Sequence, residues 1–191
     1  MKLVFATHNI HKLQEVQAMV GDSFELLSLN DLNYSEDIPE PFPTLEENAL
    51  TKARTIHRLF HLDCFAEDTG LEIDALNGEP GVVSARYAGL HKNSEDNMQL
   101  VLSKLQHETN RKAQFRTVVA LILDNQEYLF EGNVRGHIAT EKSGLSGFGY
   151  DPIFVPDGYS QSFAVLSAEE KNKISHRYRA IEKLVAYLVN C

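Results

Sequence analysis

Apolar positions along the chain recur with strand spacing in some segments and with helix spacing in others. Residues 3–6 form a short apolar run typical of a buried strand, and the apolar positions then follow helical spacing until Gly21. Residues 24–29 alternate as a second strand, whereas residues 30–43 are polar and contain three prolines. The first part of the chain is therefore predicted to fold as strand, helix, strand and loop.

A second helix is predicted over residues 45–60. Thr44 and Glu47 form a capping-box pattern, and apolar residues follow on one helical face. A strand at residues 64–66 then runs into Glu67-Asp68-Thr69-Gly70, whose Thr-Gly pair indicates a turn. The acidic pair is thus expected in a turn, with a further strand after it.

The second half of the chain continues this mixture of elements. Residues 94–106 show helical spacing, and residues 115–123 and 127–131 are typical of strands joined by an Asp124-Asn125 turn. Ser167 with Glu170 caps a last helix, predicted as one continuous element. Because strands and helices interleave and no internal repeat divides the sequence, we expect a mixed α/β fold in one domain, residues 1–191.

Composition and charge argue against several classes of protein. The 191 residues include no apolar run near the length of about 18 that spans a membrane, and the N-terminus becomes polar too soon for a secretory signal. Cys64 and Cys191 are too few for a disulfide framework. The formal charge of −9 argues against a broad nucleic-acid surface. We expect a soluble, intracellular protein in which any anionic ligand meets a local cationic pocket.

The acidic pair Glu67-Asp68 is the strongest candidate for chemistry. Two adjacent carboxylates that follow an apolar strand are costly to bury without a cation, and their oxygens suit Mg²⁺. One carboxylate could bind the metal while the other orients or deprotonates a water, as phosphoryl chemistry requires. The alternative is a solvated acidic turn.

Candidate phosphate ligands lie at the starts of the first two helices. Thr7, Asn9 and Lys12 follow the first strand, where free backbone N–H groups and the helix dipole favour an anion. The alternative is a helix N-cap with a surface lysine. Asn48 and Lys52 share one face of the second helix and could contact phosphate and metal, or belong to an exposed charged face.

Candidate base ligands come later in the chain. Phe148 stands between two glycines, so it offers a ring on which a nucleobase could stack, or it packs into the core. Lys171, Ser175, His176 and Arg177 could read a polar base edge, or form a solvated basic helix face.

These motifs resemble the family of non-canonical purine nucleoside triphosphate pyrophosphatases, which includes inosine triphosphatases, along nearly the whole chain. The matching residues are Ala6-Thr7-x-Asn9-x-x-Lys12, Glu47-Asn48-Ala49-x-x-Lys52-Ala53, Glu67-Asp68-Thr69-Gly70-Leu71, Ser84-Ala85-Arg86-Tyr87, Gly147-Phe148-Gly149-Tyr150-Asp151-Pro152 and Glu170-Lys171-Asn172-x-x-Ser175-His176-Arg177.

The resemblance implies an activity and a set of site residues. The expected reaction is hydrolysis of ITP, dITP or XTP to the monophosphate and pyrophosphate, which would remove deaminated purines from the nucleotide pool. Asp68 is expected to be the catalytic base, Glu67 a supporting acid, and Glu40 with Asp68 the ligands of Mg²⁺. The implied substrate-binding residues are Thr7, His8, Asn9, Ile10, His11, Lys12, Lys52, Thr69, Phe148, Gly149, Tyr150, Asp151, Lys171, His176 and Arg177.

The resemblance also implies a fold and partners. We expect an elongated mixed sheet flanked by helices, with two lobes and a central ligand cleft, in a cytoplasmic homodimer that binds neither nucleic acid nor membrane. Two other interpretations stay open: a pyrophosphatase of the septum-formation inhibitor type, which acts on modified pyrimidine or other nucleotides, and a nucleotide-binding module without hydrolysis.

Overall fold

A computed structural model describes residues 2–21 and 24–190 and has a mixed α/β fold, as predicted. The helices of this part of the chain are α1 (Ile10–Val20), α2 (Leu45–Phe60), α3 (Ser94–Lys104), α4 (Ala168–Ile174) and α5 (His176–Val189). Its strands are β1 (Lys2–Phe5), β2 (Glu25–Ser28), β3 (Cys64–Ile73), β4 (Pro80–Gly81), β5 (Lys112–Leu123), β6 (Gln126–Ile138) and β7 (Phe154–Pro156).

The described strands form one mixed sheet in the order β2-β1-β3-β5-β6-β7, with β4 paired to β3. Strand β1 pairs in parallel with both β2 and β3. The β3–β4 and β6–β7 pairs are antiparallel. Parallel neighbours need a crossover between them, and α1 and α2 lie in the connections that follow β1 and β2.

The chain divides into two compact units, each with its own hydrophobic core. Unit 1 comprises the residues up to Asp68, Thr117–Gly132 and those from Arg177 onward, and unit 2 comprises Thr69–Arg116 and Asn133–His176. The unit 1 core includes Leu3, Phe5, Val16, Phe65, Val119, Leu121, Ile181 and Leu184. The unit 2 core includes Leu71, Val101, Leu105, Phe115, Ile138, Ile153, Phe154 and Phe163.

Several local predictions are confirmed. Helix α2 has the predicted bounds, and the Thr44 side chain accepts a hydrogen bond from the Glu47 N–H as its N-cap. Asp124 and Asn125 join β5 to β6 with φ of 50° and 62°, as a two-residue hairpin turn requires. Cys64 is a buried free thiol, whereas Cys191 lies outside the described residues. Within residues 2–21 and 24–190, no helix is both long and apolar enough to cross a membrane.

The predicted turn at the acidic pair is wrong. Glu67 and Asp68 lie inside the continuous ten-residue strand β3, and both are buried. Gly70 serves strand pairing rather than a turn, because a Cβ there would lie 2.7 Å from the Gly81 carbonyl oxygen on β4. The two carboxylates are therefore held by a rigid strand.

The prediction of a single last helix is also wrong, because Ser175 separates two helices. Ser175 has φ −68° and ψ 155°, which is extended backbone, and its N–H donates to the Lys171 carbonyl to close α4. Helix α5 begins at His176. The break falls at Ser175, and the basic residues around it, Lys171, His176 and Arg177, are buried rather than solvated.

Candidate active site

The start of α1 is capped by its own side chains. Asn9 is the N-cap, and its Oδ1 accepts hydrogen bonds from the backbone N–H groups of His11 and Lys12, at 3.0 Å and 3.1 Å. Thr7 Oγ1 accepts from the Asn9 N–H. The N-cap interpretation of this loop is correct. Ile10 is 53% exposed, and the side chains of this loop are largely accessible.

His8 connects this first loop to the polar loop that carries Glu40. Its Nε2 lies 3.0 Å from the Glu36 carbonyl oxygen, and its ring stacks on Tyr34 with centroids 6.1 Å apart. Tyr34 in turn meets the edge of Phe60, at the end of α2. The two loops are thus held together by contacts within unit 1.

Lys12 is not an ordinary surface lysine. Its Nζ lies 3.0 Å from Glu67 Oε1, and its side chain is only 17% exposed. Glu67 also accepts a bidentate contact from Arg177, whose Nε lies 2.9 Å from Oε2 and whose Nη2 lies 2.9 Å from Oε1. Arg177 Nη1 donates to Glu15 as well. Two cations and two carboxylates therefore form one buried network.

The charges in this network stabilise one another. Burial alone opposes ionisation of Glu67, but Arg177 and Lys12 outweigh it and hold the pKa of Glu67 well below its usual range. Burial likewise opposes the charge on Arg177, and Glu67 and Glu15 together raise the Arg177 pKa above its usual value. Glu67 is therefore a fixed anion, engaged with cations on both sides.

A second buried ion cluster surrounds Asp68. Lys52 Nζ lies 2.5 Å from Glu40 Oε1 and 3.2 Å from Asp68 Oδ1. The other oxygen of Asp68, Oδ2, is buried and has no hydrogen-bond partner among the described residues. Lys52 is 9% exposed, so the exposed-face interpretation of this part of α2 is wrong. A buried carboxylate oxygen without a partner lowers the stability of the fold, and a bound cation would compensate by interacting with it.

Burial and neighbouring charges shift the pKa values of both Asp68 and Lys52 in this second cluster. Burial raises the pKa of Asp68, the Lys52 cation opposes that rise, and the neighbouring Glu40 adds to it. For Lys52, burial disfavours the charge, but Asp68 and Glu40 raise its pKa overall. Lys52 is therefore a buried ammonium ion held by two carboxylates.

Asn48 supports the loop that carries Glu40. Its side chain accepts from the Phe42 N–H and donates to the Phe42 carbonyl, both at 3.0 Å. Asn48 itself is fully buried, so both polar groups of its side chain are satisfied by this two-bond clamp. Its role here is to hold the chain between Glu40 and α2.

In unit 2, Asp151 and Lys171 form a buried ion pair beside an aromatic ring. Lys171 Nζ lies 2.7 Å from Asp151 Oδ2, and both side chains are at most 6% exposed. The same oxygen accepts from the Phe148 N–H at 2.8 Å. The Lys171 ammonium lies 4.9 Å from the centre of the Phe148 ring. These three predicted residues come together.

The Gly-rich loop is shaped by this ion pair. Gly147 has φ +78°, and a Cβ there would lie 2.2 Å from Asp151 Oδ2. Gly149 also has a positive φ, of 63°. Tyr150 is part of the unit 2 core, and its hydroxyl donates to the Ser84 carbonyl at 2.7 Å. Burial raises the pKa of that hydroxyl further above its usual range.

The remaining predicted residues of unit 2 are His176 and Thr69. The His176 ring stacks on Phe115 with centroids 4.7 Å apart, and the residue is 4% exposed. Thr69 is half-buried on β3, the residue after Asp68. The structure thus assigns the predicted residues to two sets. Unit 1 holds Thr7 to Lys12, Glu40, Lys52, Glu67, Asp68 and Arg177, and unit 2 holds Thr69, Phe148 to Asp151, Lys171 and His176.

Sequence reasoning missed Glu15 as a member of the site. It lies three residues after Lys12 on α1, a spacing that places both on one helix face. That spacing is a usable signal, but it is common on exposed helices. Within the described residues, no group of three or more His, Cys, Asp or Glu side chains is arranged to hold a metal ion.

Comparison with known proteins identifies the family. The model of the Ham1 family matches residues 3–187. A dITP/XTP pyrophosphatase of Flavobacterium psychrophilum is 50% identical over 190 residues and covers all of both chains. The Ham1 protein of Staphylococcus aureus superposes with a TM-score of 0.91 at 39% identity, over 100% of this chain and 99% of that one. A HAM1 protein of Coxiella burnetii superposes with a TM-score of 0.92 at 36% identity and full coverage of both chains. The chain belongs to the Ham1 family.

Proposed function

We propose that this protein hydrolyses non-canonical purine nucleoside triphosphates, namely dITP, ITP and XTP, to the nucleoside monophosphate and pyrophosphate. The observation that carries the proposal is the buried Lys52-Glu40-Asp68 cluster, with its orphaned Asp68 oxygen, in a full-length relative of dITP/XTP pyrophosphatases. Phosphoanhydride hydrolysis needs a carboxylate that accepts the proton of water and cations that neutralise phosphate charge. The cluster supplies both.

Asp68 is the proposed general base. A base works best when its pKa approaches the working pH, and burial moves the pKa of Asp68 in that direction. The β3 strand fixes the backbone of Asp68, which favours a constant position for the proton acceptor. Asp68 takes the proton of the attacking water, whose oxygen bonds to phosphorus as the α–β phosphoanhydride bond breaks and pyrophosphate leaves.

Mg²⁺ is the proposed cofactor, bound by Glu40 and Asp68. The fit rests on the buried Asp68 Oδ2, which lacks a hydrogen-bond partner among the described residues, and on the all-oxygen donor set that Mg²⁺ prefers. Mg²⁺ commonly takes only one or two carboxylates and completes its shell with waters and substrate phosphates. When bound, it would neutralise charge that develops on the phosphates.

Phosphate and base recognition are proposed for different residues. The triphosphate is proposed to bind to three cations, Lys12, Lys52 and Lys171. The loop of Thr7, His8, Asn9, Ile10 and His11 is proposed to contact it as well. On the resemblance to the family, Phe148, Gly149, Tyr150 and Asp151 are proposed to enclose the base, and His176 and Arg177 to read its position-6 oxygen. Thr69 is a further proposed substrate contact. A 6-keto oxygen accepts hydrogen bonds where the adenine amino group donates, so a donor site rejects adenine.

The test is pyrophosphate release from a panel of nucleotides. We expect turnover of ITP, dITP and XTP to exceed that of ATP and GTP, with little turnover of UTP or dTTP. Equal or better pyrimidine turnover would favour the septum-formation inhibitor type of enzyme instead. Binding of ITP without pyrophosphate release, even with excess Mg²⁺, would favour a nucleotide sensor.

A homodimeric, cytoplasmic enzyme is also proposed, on the resemblance to the family. Sedimentation equilibrium checks the assembly directly, since the chain mass is 21.5 kDa. A species of twice that mass at micromolar concentration is expected.

A further inference from the structure

The ammonium of Lys52 holds the two carboxylates to which we assigned the metal. Its Nζ lies 2.5 Å from Glu40 Oε1 and 3.2 Å from Asp68 Oδ1. Both distances are within hydrogen-bond range, and the three side chains are at most 28% exposed. Glu40 comes from a loop and Asp68 from β3, so the lysine on α2 is what brings their charges together.

A lysine and a divalent ion cannot both hold these carboxylates without cost. Each carboxylate loses attraction for a metal when an ammonium already neutralises it, and the two cations repel one another in a site shielded from water. A metal must therefore compete with Lys52 for its ligands.

A polyphosphate relieves this competition. It carries several negative charges and accepts hydrogen bonds from an ammonium as well as a carboxylate does. A lysine side chain has a flexible four-carbon stem, so its ammonium can turn from one anion to another while α2 stays in place. The carboxylate oxygens that it leaves become available to a metal.

We propose that the Lys52 ammonium competes with the divalent ion for Glu40 and Asp68, and that it moves to the polyphosphate when nucleotide binds. This inference rests on the proposed function for the identity of the nucleotide. It makes metal and nucleotide binding mutually supportive, so the metal binds weakly alone and tightly with substrate. Because such coupling is reciprocal, the nucleotide also binds weakly without metal.

The test measures Mn²⁺ affinity in the nucleotide-free protein by electron paramagnetic resonance. Lys52→Met and Lys52→Gln remove the resident charge, and both should bind Mn²⁺ at least ~10-fold more tightly than wild type, within the range of ordinary site-to-site coupling. Lys2→Met is the matched control. It removes the same charge from an exposed pair with Glu25 and should leave Mn²⁺ affinity within about 2-fold of wild type, as expected for a screened surface charge. Adding Asp68→Asn to either Lys52 variant should abolish the gain, which locates the ion.

A second measurement uses wild-type protein and so does not depend on whether the Lys52 variants fold. An α,β-methylene analogue of ITP should tighten Mn²⁺ binding at least ~10-fold, after correction for Mn²⁺ held by the analogue alone. Unchanged or weaker Mn²⁺ binding in folded Lys52 variants, or no effect of the analogue on wild type, would overturn the inference. Failure of the proposed function would appear as absent ITP turnover. The Mn²⁺ titrations of the Lys52 variants contain no nucleotide, so they test the inference independently of that result.

Discussion

At the scale of single residues, Asp68 carries the chemistry that we propose. Asp68→Asn keeps the shape of the side chain but removes its charge and its ability to accept a proton. We expect kcat for ITP to fall by at least ~100-fold, the lower end of the loss expected for a general base. The measurement is pyrophosphate release at saturating ITP and Mg²⁺.

Asp157→Asn is the control for this substitution. Asp157 is an exposed acid outside the proposed site, so its loss should leave kcat within about 2-fold of wild type, as for most surface substitutions. Near-normal turnover by a folded Asp68→Asn variant would rule out the assignment of Asp68 as the base.

Glu67 contributes stability through its charge. Glu67→Gln leaves the Arg177 guanidinium buried without its bidentate partner, which should lower the free energy of unfolding at pH 7 by about 3–5 kcal/mol. The pKa of Glu67 is lower in the folded state than in the unfolded state. Its stabilisation is therefore fully present above the unfolded pKa of about 4.3 and is lost progressively as the pH falls below that value.

Urea denaturation at pH 7 and at pH 3.5 checks both parts of this prediction. The difference in unfolding free energy between wild type and Glu67→Gln should be smaller at the lower pH. Glu25→Gln, at the exposed pair with Lys2, should change the unfolding free energy by at most about 0.5 kcal/mol. A gap that widens in acid would mean that Glu67 is not the stabilising anion described above.

At the scale of elements, the sequence predicts structure well where the signal is local. The bounds of α2 follow from a Thr44 cap and one apolar face, and the hairpin at Asp124-Asn125 follows from residues that tolerate positive φ. Both signals act within a few residues. They need no knowledge of the rest of the fold.

The predictions from sequence failed where contacts between residues far apart in the sequence determine the local structure. Glycine is common in turns, yet a glycine is required at position 70 because Gly81 on another strand comes close to it. Ser175 breaks the last helix without a Gly or Pro, at a residue that is 1% exposed. The same limit applies to the site. Lysines are usually surface residues, and the burial of Lys12 and Lys52 is explained by carboxylate partners that are distant in sequence.

The loop that carries Glu40 should depend on the Asn48 clamp. Asn48→Ala removes both hydrogen bonds to the Phe42 backbone, at about 0.5–1.5 kcal/mol for each bond. We expect faster amide hydrogen exchange at residues 36–43 and a lower unfolding free energy. Arg58→Ala, on the exposed face of the same helix, should alter neither quantity measurably. Unchanged exchange in that loop would show that Asn48 does not hold it.

At the scale of the whole molecule, the distribution of charge matters more than its total. The chain has a formal charge of −9, yet three of its cations, Lys52, Lys171 and Arg177, are at least nine-tenths buried. Each faces a carboxylate in its own unit. A protein that repels anions overall can still bind a triphosphate if cations are concentrated and held at the site, which is the arrangement that the composition led us to expect.

The two cores should unfold in a single transition. Strands β3, β5 and β6 each supply residues to both units, so neither core can lose its strands without disturbing the other. Leu184→Ala, in the unit 1 core, and Leu105→Ala, in the unit 2 core, replace side chains that are at most 1% exposed and should each cost about 2–5 kcal/mol. Both variants should shift one common urea transition, monitored by circular dichroism and by amide exchange in each unit, whereas Leu59→Ala, at a residue that is 52% exposed, should leave it nearly unchanged. Two separated transitions, of which each core variant moves only one, would show instead that the units are independently stable.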